Sequence, residues 1–398
     1  MGEVALIPKG RLNVNEATVH HLEQILASPE LGLSLFGASA LVVPNDAPVI
    51  IKRAALAGKA LLGDRIQLCD GTADQVEIQA ALDALVGLGG DVVLAPGNYA
   101  LTAGFTIPRS NAAFIKLSGY GAILTTDFDG TVIEVASNGG SQTERVFIEG
   151  LIVINAGAAG AGRGLKINHC YHVTVRDVNF HNFYTGSAIE IDLTGAGSAA
   201  ESCKFENIYA RDCGYGIRFI VGGGTSFLAT MVDKFNHEIV SDACIGRLTI
   251  DCPSSGASLN QSTFRNVCIW TYKNDAKLFY INCAAHGVVI ISPAVHQLTN
   301  PVTGLLPIDL FGIHLGANYS GDLVLIGRRM FGANITRLLN NSAFGCLWLR
   351  GENGIEFYDH LVVGAQGAAV ADATDAASVI LRLNELLARV RAHGLIAT

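Results

Sequence analysis

Charge is scarce in this chain of 398 residues: only 16% are Asp, Glu, Lys or Arg, against 50% hydrophobic residues. An isolated subunit would have too few charges to cover its surface, so the composition predicts an oligomer that hides apolar area between copies. Prolines number only ten, which excludes a Pro-rich linker protein. The formal net charge of −8 offers no basic footprint and predicts no nucleic-acid binding. No apolar run is long enough for a membrane span, and no basic-then-apolar leader is present, so neither a transmembrane segment nor secretory export is expected. The nine cysteines include no C-x-x-C pair, which argues against a zinc or redox centre; they read as small buried hydrophobes in a reducing compartment.

What the chain does have is 45 glycines and a change of pattern along its length. Up to about Gly90 the spacing is helical. Val19, Leu22, Ile25 and Leu26 mark one helix, residues from Asp46 or Pro48 to Leu61 a second after a strand-like Ala40–Val43, and Thr72 to Leu85 a third, with Thr72 and Gln75 as its capping box. From Asp91 apolar residues alternate around a recurring bend. The bends fall at Gly119, Gly150, Asp177, Asn207, Asn266, Ser292 and Gly312, with one poorly matching coil near Asn236. A coarse period of twenty to thirty residues, without helices in between, predicts stacked β-coils. Asn, Asp and Gly suit such bends because they tolerate left-handed backbone. Just before the bends stand Glu149, Arg176, Glu206 and Arg265, the pattern of an outward charge ladder across adjacent strands.

The predicted fold is therefore mainly β, a single-stranded right-handed parallel β-helix. It divides into an N-terminal helical attachment or capping region (1–90), a β-helix shaft (91–331), and C-terminal strands with a closing helix (332–398). In that helix Val379, Leu383, Leu386 and Val390 form a short seam. It packs either against its copies in a trimer or back on the solenoid.

Residues 69–85, beginning Cys69-Asp70-Gly71-Thr72, and the run from Gly89-Gly90 through Pro96-Gly97 to Tyr99 resemble the entry segment of the pectate-lyase-like right-handed β-helix superfamily. Residues 370–378 through Leu395-Ile396 resemble the closing helix of bacteriophage structural proteins, head fibres and tailspikes included. The two resemblances imply a homotrimeric fibre, spike or decoration protein of a phage or prophage virion, with other virion proteins and a cell-surface polysaccharide as partners.

Members of the superfamily also cleave polysaccharides, so an enzyme acting on an acidic polysaccharide is the alternative. The Asn-Thr-Asp and Asp-Asp motifs of polygalacturonase-like hydrolases are missing, and Ala285-His286-Gly287 stands without partners. The best catalytic candidates are Glu190 and Asp192, which point the same way on a strand, with Asp212 about one coil later. A solvated outer face with salt bridges is the rival reading of these residues. His169, His172 and His181 lack a further metal ligand, so no metal site and no cofactor are expected. Tyr171, Tyr184, Tyr209, Tyr215 and Tyr272 are candidates for a sugar-stacking platform.

Overall fold

The computed structural model describes residues 40–109, 114–137, 145–194, 200–220, 225–307, 310–327, 329–331, 335–340, 346–350 and 354–358. The predicted helix near residues 15–26, the closing helix and its seam lie outside the described residues. The chain is a right-handed parallel β-solenoid of about 8 turns. Each coil contributes one strand to a second sheet and the rest to a long sheet. The second-sheet strands start at residues 105, 131, 163, 187, 215, 248, 277, 310 and 335, so one coil takes 24 to 33 residues.

The coils divide into two compact units. The first holds the described residues up to Asp192, with Cys203–Gly214 and Ser241–Gly246. Its entry differs from the sequence-based boundary at Asp91. Strand Ala40–Val43 pairs in parallel with both Ile66–Leu68 and Gly90–Leu94, so the long sheet begins some fifty residues before the alternating pattern becomes visible. Helix α1 (Val49–Leu62) covers this entry, burying Ala55 with Val43, Ala47, Ile66 and Ala95. Tyr99 is fully buried and donates its hydroxyl to the carbonyls of Val42 and Ala95 at 3.0 and 2.8 Å.

Helix α2 (Gln75–Asp83) seals the free edge of strand Gly97–Leu101, and not through the expected capping box. Asp74, fully buried, accepts the Gly71 amide at 2.9 Å and the Ala100 amide at 2.8 Å. Gln75 exchanges hydrogen bonds with Thr102, and Gln79 with the backbone of Thr106. Side chains on the helix thus replace a neighbouring strand at amides that would otherwise be an open template. Thr72 is left out because Gln75 is engaged across the coil.

The bends follow left-handed backbone. Gly150, Asp177, Asn207 and Asn266 have φ of 75°, 55°, 53° and 54°, and Ser292 has 51°. Between Asn207 and Asn266 the bend is Lys234, φ 56°, two residues before the expected place. Two predicted corners differ. Gly119 lies within strand Ile115–Thr126, where the left-handed residue is Gly121 at φ 89°; a Cβ on Gly119 would come within 2.6 Å of Leu151. Gly312 sits in second-sheet strand Leu310–Leu315, and the bend after Ser292 is Gly327. The apolar pattern around Gly312 is that of a buried straight strand, which periodicity alone does not separate from a bent one.

Bends in the first unit are tied along the axis: Asn207 donates to Asp177 at 2.6 Å, and Tyr120 donates its hydroxyl to the same carboxylate at 3.0 Å. The charge ladder closes in groups. Glu149 takes Lys116 at 2.5 Å and Arg176 at 2.6 Å, whereas Glu206 takes Lys204 on its own strand at 2.8 Å. In the second unit Asp233 supplies the rung for Arg265 at 2.6 Å.

A feature the sequence hides is a glycine column in the first unit. Gly162, Gly186, Gly214 and Gly246 lie at successive coil turns, each against the backbone of the glycine one coil below, starting from Gly130. A Cβ on Gly186 would stand 1.7 Å from the Gly162 carbonyl oxygen, so no side chain fits there.

The second unit comprises the described parts of Leu193–Ser202, Tyr215–Val240 and the chain from Arg247 on. Parallel stacking continues past the expected shaft end at residue 331, through Ile335–Asn340 and Cys346–Arg350, after which Gly354–Tyr358 pairs antiparallel.

Candidate functional site on the second sheet

Glu190 and Asp192 do share the outward side of strand Ser187–Asp192, since Ile189 and Ile191 between and beside them are fully buried. Both are in ion pairs: Glu190, 2% exposed, with Arg163, and the half-buried Asp192 with Lys166 at 3.1 Å. Asp212 lies elsewhere on the coil. It is a left-handed corner residue following strand Lys204–Arg211, and it accepts the Ser241 amide at 2.5 Å. One coil below, His181 pairs with Arg211, which sets Asp212 beside Asn182, eight residues upstream of Glu190. The three predicted carboxylates therefore occupy two separate columns.

A different carboxylate stands out in the second unit. On strands Tyr215–Ile220, Leu248–Cys252, Lys277–Ile281 and Leu310–Leu315 the residues Ile217, Ile250, Phe279 and Ile313 turn inward and are fully buried. Register then places Arg218, Asp251, Tyr280 and His314 in one outward row. Neighbouring rungs are about 4.8 Å apart, so the side chains of the row stand next to one another. Arg218 donates from Nε to Asp251 Oδ2 at 3.1 Å, and its guanidinium lies 4.3 Å from the Tyr215 ring centroid. The Tyr280 and His314 rings meet edge to face at 5.0 Å, and Lys277 Nζ hovers 5.4 Å from the Phe311 ring.

Asp251 is only 2% exposed, and its Oδ1 has no hydrogen-bond partner among the described residues. Burial pushes its pKa up to about 6 against the pull of Arg218 and Lys277. Burial and the Lys277 charge hold the His314 pKa below the usual value. Two cations, four aromatic rings and an acid that titrates near neutrality form a face suited to a polar ring-shaped ligand.

Asp251 costs the fold stability. Its pKa rises from 3.8 to about 6 on folding, so between those values the folded chain keeps a proton that the unfolded chain has released. Stability should fall as pH rises from about 4 to 6, by on the order of 3 kcal/mol, and stay level above. Asp251→Asn is expected to remove that slope and raise the melting temperature at pH 7.5; melts across pH 4 to 8 measure both.

No family model matches the chain, and no curated protein matches it in sequence. Solved structures do. ORF18 of Geobacillus virus E2 is 12% identical with a TM-score of 0.35, the match covering 76% of this chain and 64% of that one. The mannuronan C-5 epimerase AlgE6 A-module of Azotobacter vinelandii is 13% identical with a TM-score of 0.28, covering 69% and 96%. Tailspike protein gp49 of Acinetobacter baumannii bacteriophage Fri1, described as a capsular polysaccharide depolymerase, is 12% identical with a TM-score of 0.33, covering 68% and 60%. This chain thus spans less than two thirds of both viral proteins.

Of the other sequence candidates, Tyr215 belongs to the face just described, and His169 packs edge to face on Tyr171 at 6.1 Å. Eight cysteines among the described residues are buried. Cys69, Asp74 and Glu77 bring ligand-type atoms within 4.8 Å of one another. Asp74 is already committed to two backbone amides, and burial with the neighbouring carboxylates drives the Cys69 pKa well above its ordinary value, so the thiol stays protonated. That group reads as part of the α2 seal.

Proposed function

We propose that this chain is a structural subunit of a phage or prophage virion, a homotrimeric fibre, spike or decoration protein, whose second sheet presents a glycan-binding face. The observation that carries the binding reading is the row Arg218–Asp251–Tyr280–His314 flanked by Tyr215, Lys277 and Phe311. Aromatic rings offer apolar faces to sugar rings, and the guanidinium offers a planar fork of donors. The appendage reading is supported by the entry-segment and closing-helix resemblances in the sequence and by the low charge content, which calls for a subunit interface.

A glycan array of bacterial capsular and surface polysaccharides tests the reading. The full chain is expected to retain at least one of them, and Arg218→Ala to weaken that binding about tenfold or more, the cost of losing a charged hydrogen-bond donor. Retention of none, or equal retention by the variant, would remove the face from consideration. Light scattering after size exclusion should report three copies.

The buried, half-partnered Asp251 favours one further reading, in which this face also cleaves its glycan with Asp251 as the acid or base. Glu190, Asp192 and Asp212 are weaker candidates, since they are split between two separate columns of the coil. Release of new reducing ends or unsaturated ends from a bound polysaccharide, lost in Asp251→Asn, would establish it.

A further inference from the structure

We propose that Asp251 is an internal competitor for the anion that Arg218 is placed to bind, so that protonation of Asp251 opens the face to a carboxylate-bearing glycan. The inference rests on the glycan-binding reading and adds to it both a ligand class and a control.

Arg218 is held at two points, by its Nε–Asp251 bond and by the Tyr215 ring under the guanidinium. Among the described residues its two terminal nitrogens carry no hydrogen bond, and its side chain is 32% exposed. A guanidinium fixed in this way presents the fork that grips a carboxylate with two parallel bonds. Asp251 stands in the way electrostatically. While ionised, it neutralises the cation one rung from the approaching anion, and the low dielectric of a buried carboxylate makes that effect long-reaching.

The groups facing Asp251 are Arg218 and Tyr215 from the strand on one side, Lys277 and Tyr280 from the strand on the other, His314 one rung further, and Cys252 beside it on its own strand. Once Asp251 is neutral, Arg218 and Lys277 are left as uncompensated cations on either side of it. Burial and Lys277 both lower the His314 pKa, and the Asp251→Asn variant, which keeps His314, separates its contribution from that of Asp251. The midpoint of the response follows from the carboxyl titrating at about 6.

Calorimetric titration of the full chain with tetragalacturonate, and with neutral maltotetraose as control, tests this. The uronate is expected to bind at least tenfold more tightly at pH 5 than at pH 7.5, in proportion to the protonated fraction of Asp251. Asp251→Asn should bind it equally well at both pH values, at the pH 5 affinity of the natural chain. Equal wild-type affinity at the two pH values, or weaker binding by Asp251→Asn at pH 7.5, would overturn the inference. If maltotetraose binds and the uronate does not, the inference falls while the glycan-binding reading stands; silence towards both overturns the inference, and the polysaccharide array then decides the glycan-binding reading. Melting curves confirm that the variant is folded in each case.

Discussion

Gly186→Ala is expected to cost more than about 4 kcal/mol, a large part of the whole stability of an ordinary domain. The added Cβ would stand 1.7 Å from the Gly162 carbonyl oxygen, less than half a normal contact distance. That oxygen is backbone, so it retreats only if the coil beneath moves. Movement is blocked in turn, because Gly162 itself sits against Gly130 and Gly214 against Gly186. A control separates this clash from the general effect of losing a glycine. Gly304 has φ 68° and nothing within 4 Å of its would-be Cβ, so Gly304→Ala should cost only ~1 kcal/mol for the left-handed conformation. Chemical denaturation of the two variants side by side checks the contrast, and near-equal losses would mean that the column tolerates side chains.

Asp74→Ala should be the next most damaging change, at about 3 kcal/mol, because it removes the acceptor of two part-buried amides, those of Gly71 and Ala100, at once. Asn in its place keeps one acceptor oxygen but turns an NH2 towards the other amide, so Asp74→Asn should recover less than half of the loss. The second consequence is association. With α2 loosened, the edge of strand Gly97–Leu101 becomes a template for another chain, and light scattering on warming should rise well before it does in the natural protein. A variant that melts early but stays monodisperse would show that the edge has other protection.

Why some of this could be read from the sequence and some could not follows from the geometry. Gly150, Asp177, Asn207 and Asn266 were legible as corners because their left-handed backbone selects the few residue types that tolerate it. Lys234 was not, since lysine has no local preference for φ 56° and is held there by the coils around it. The glycines at 130, 162, 186, 214 and 246 recur at intervals of 32, 24, 28 and 32 residues, an irregularity that conceals a straight column. The row at 218, 251, 280 and 314 is hidden likewise, by loops of unequal length between its strands. Glu190 and Asp192 drew attention because two carboxylates two residues apart are visible locally, whereas the cations that neutralise them come from Arg163 and Lys166 on the coil before.

Because the seal formed by Asp74, Gln75 and Gln79 engages only residues 100–106 of the first unit among the described residues, the strands downstream of it stack through a repeating parallel ladder. A lineage carrying this cap is free to gain or lose whole turns by gene duplication or deletion downstream of it, provided the cut falls between equivalent loops. Length can then drift among descendants while the closed end is inherited unchanged.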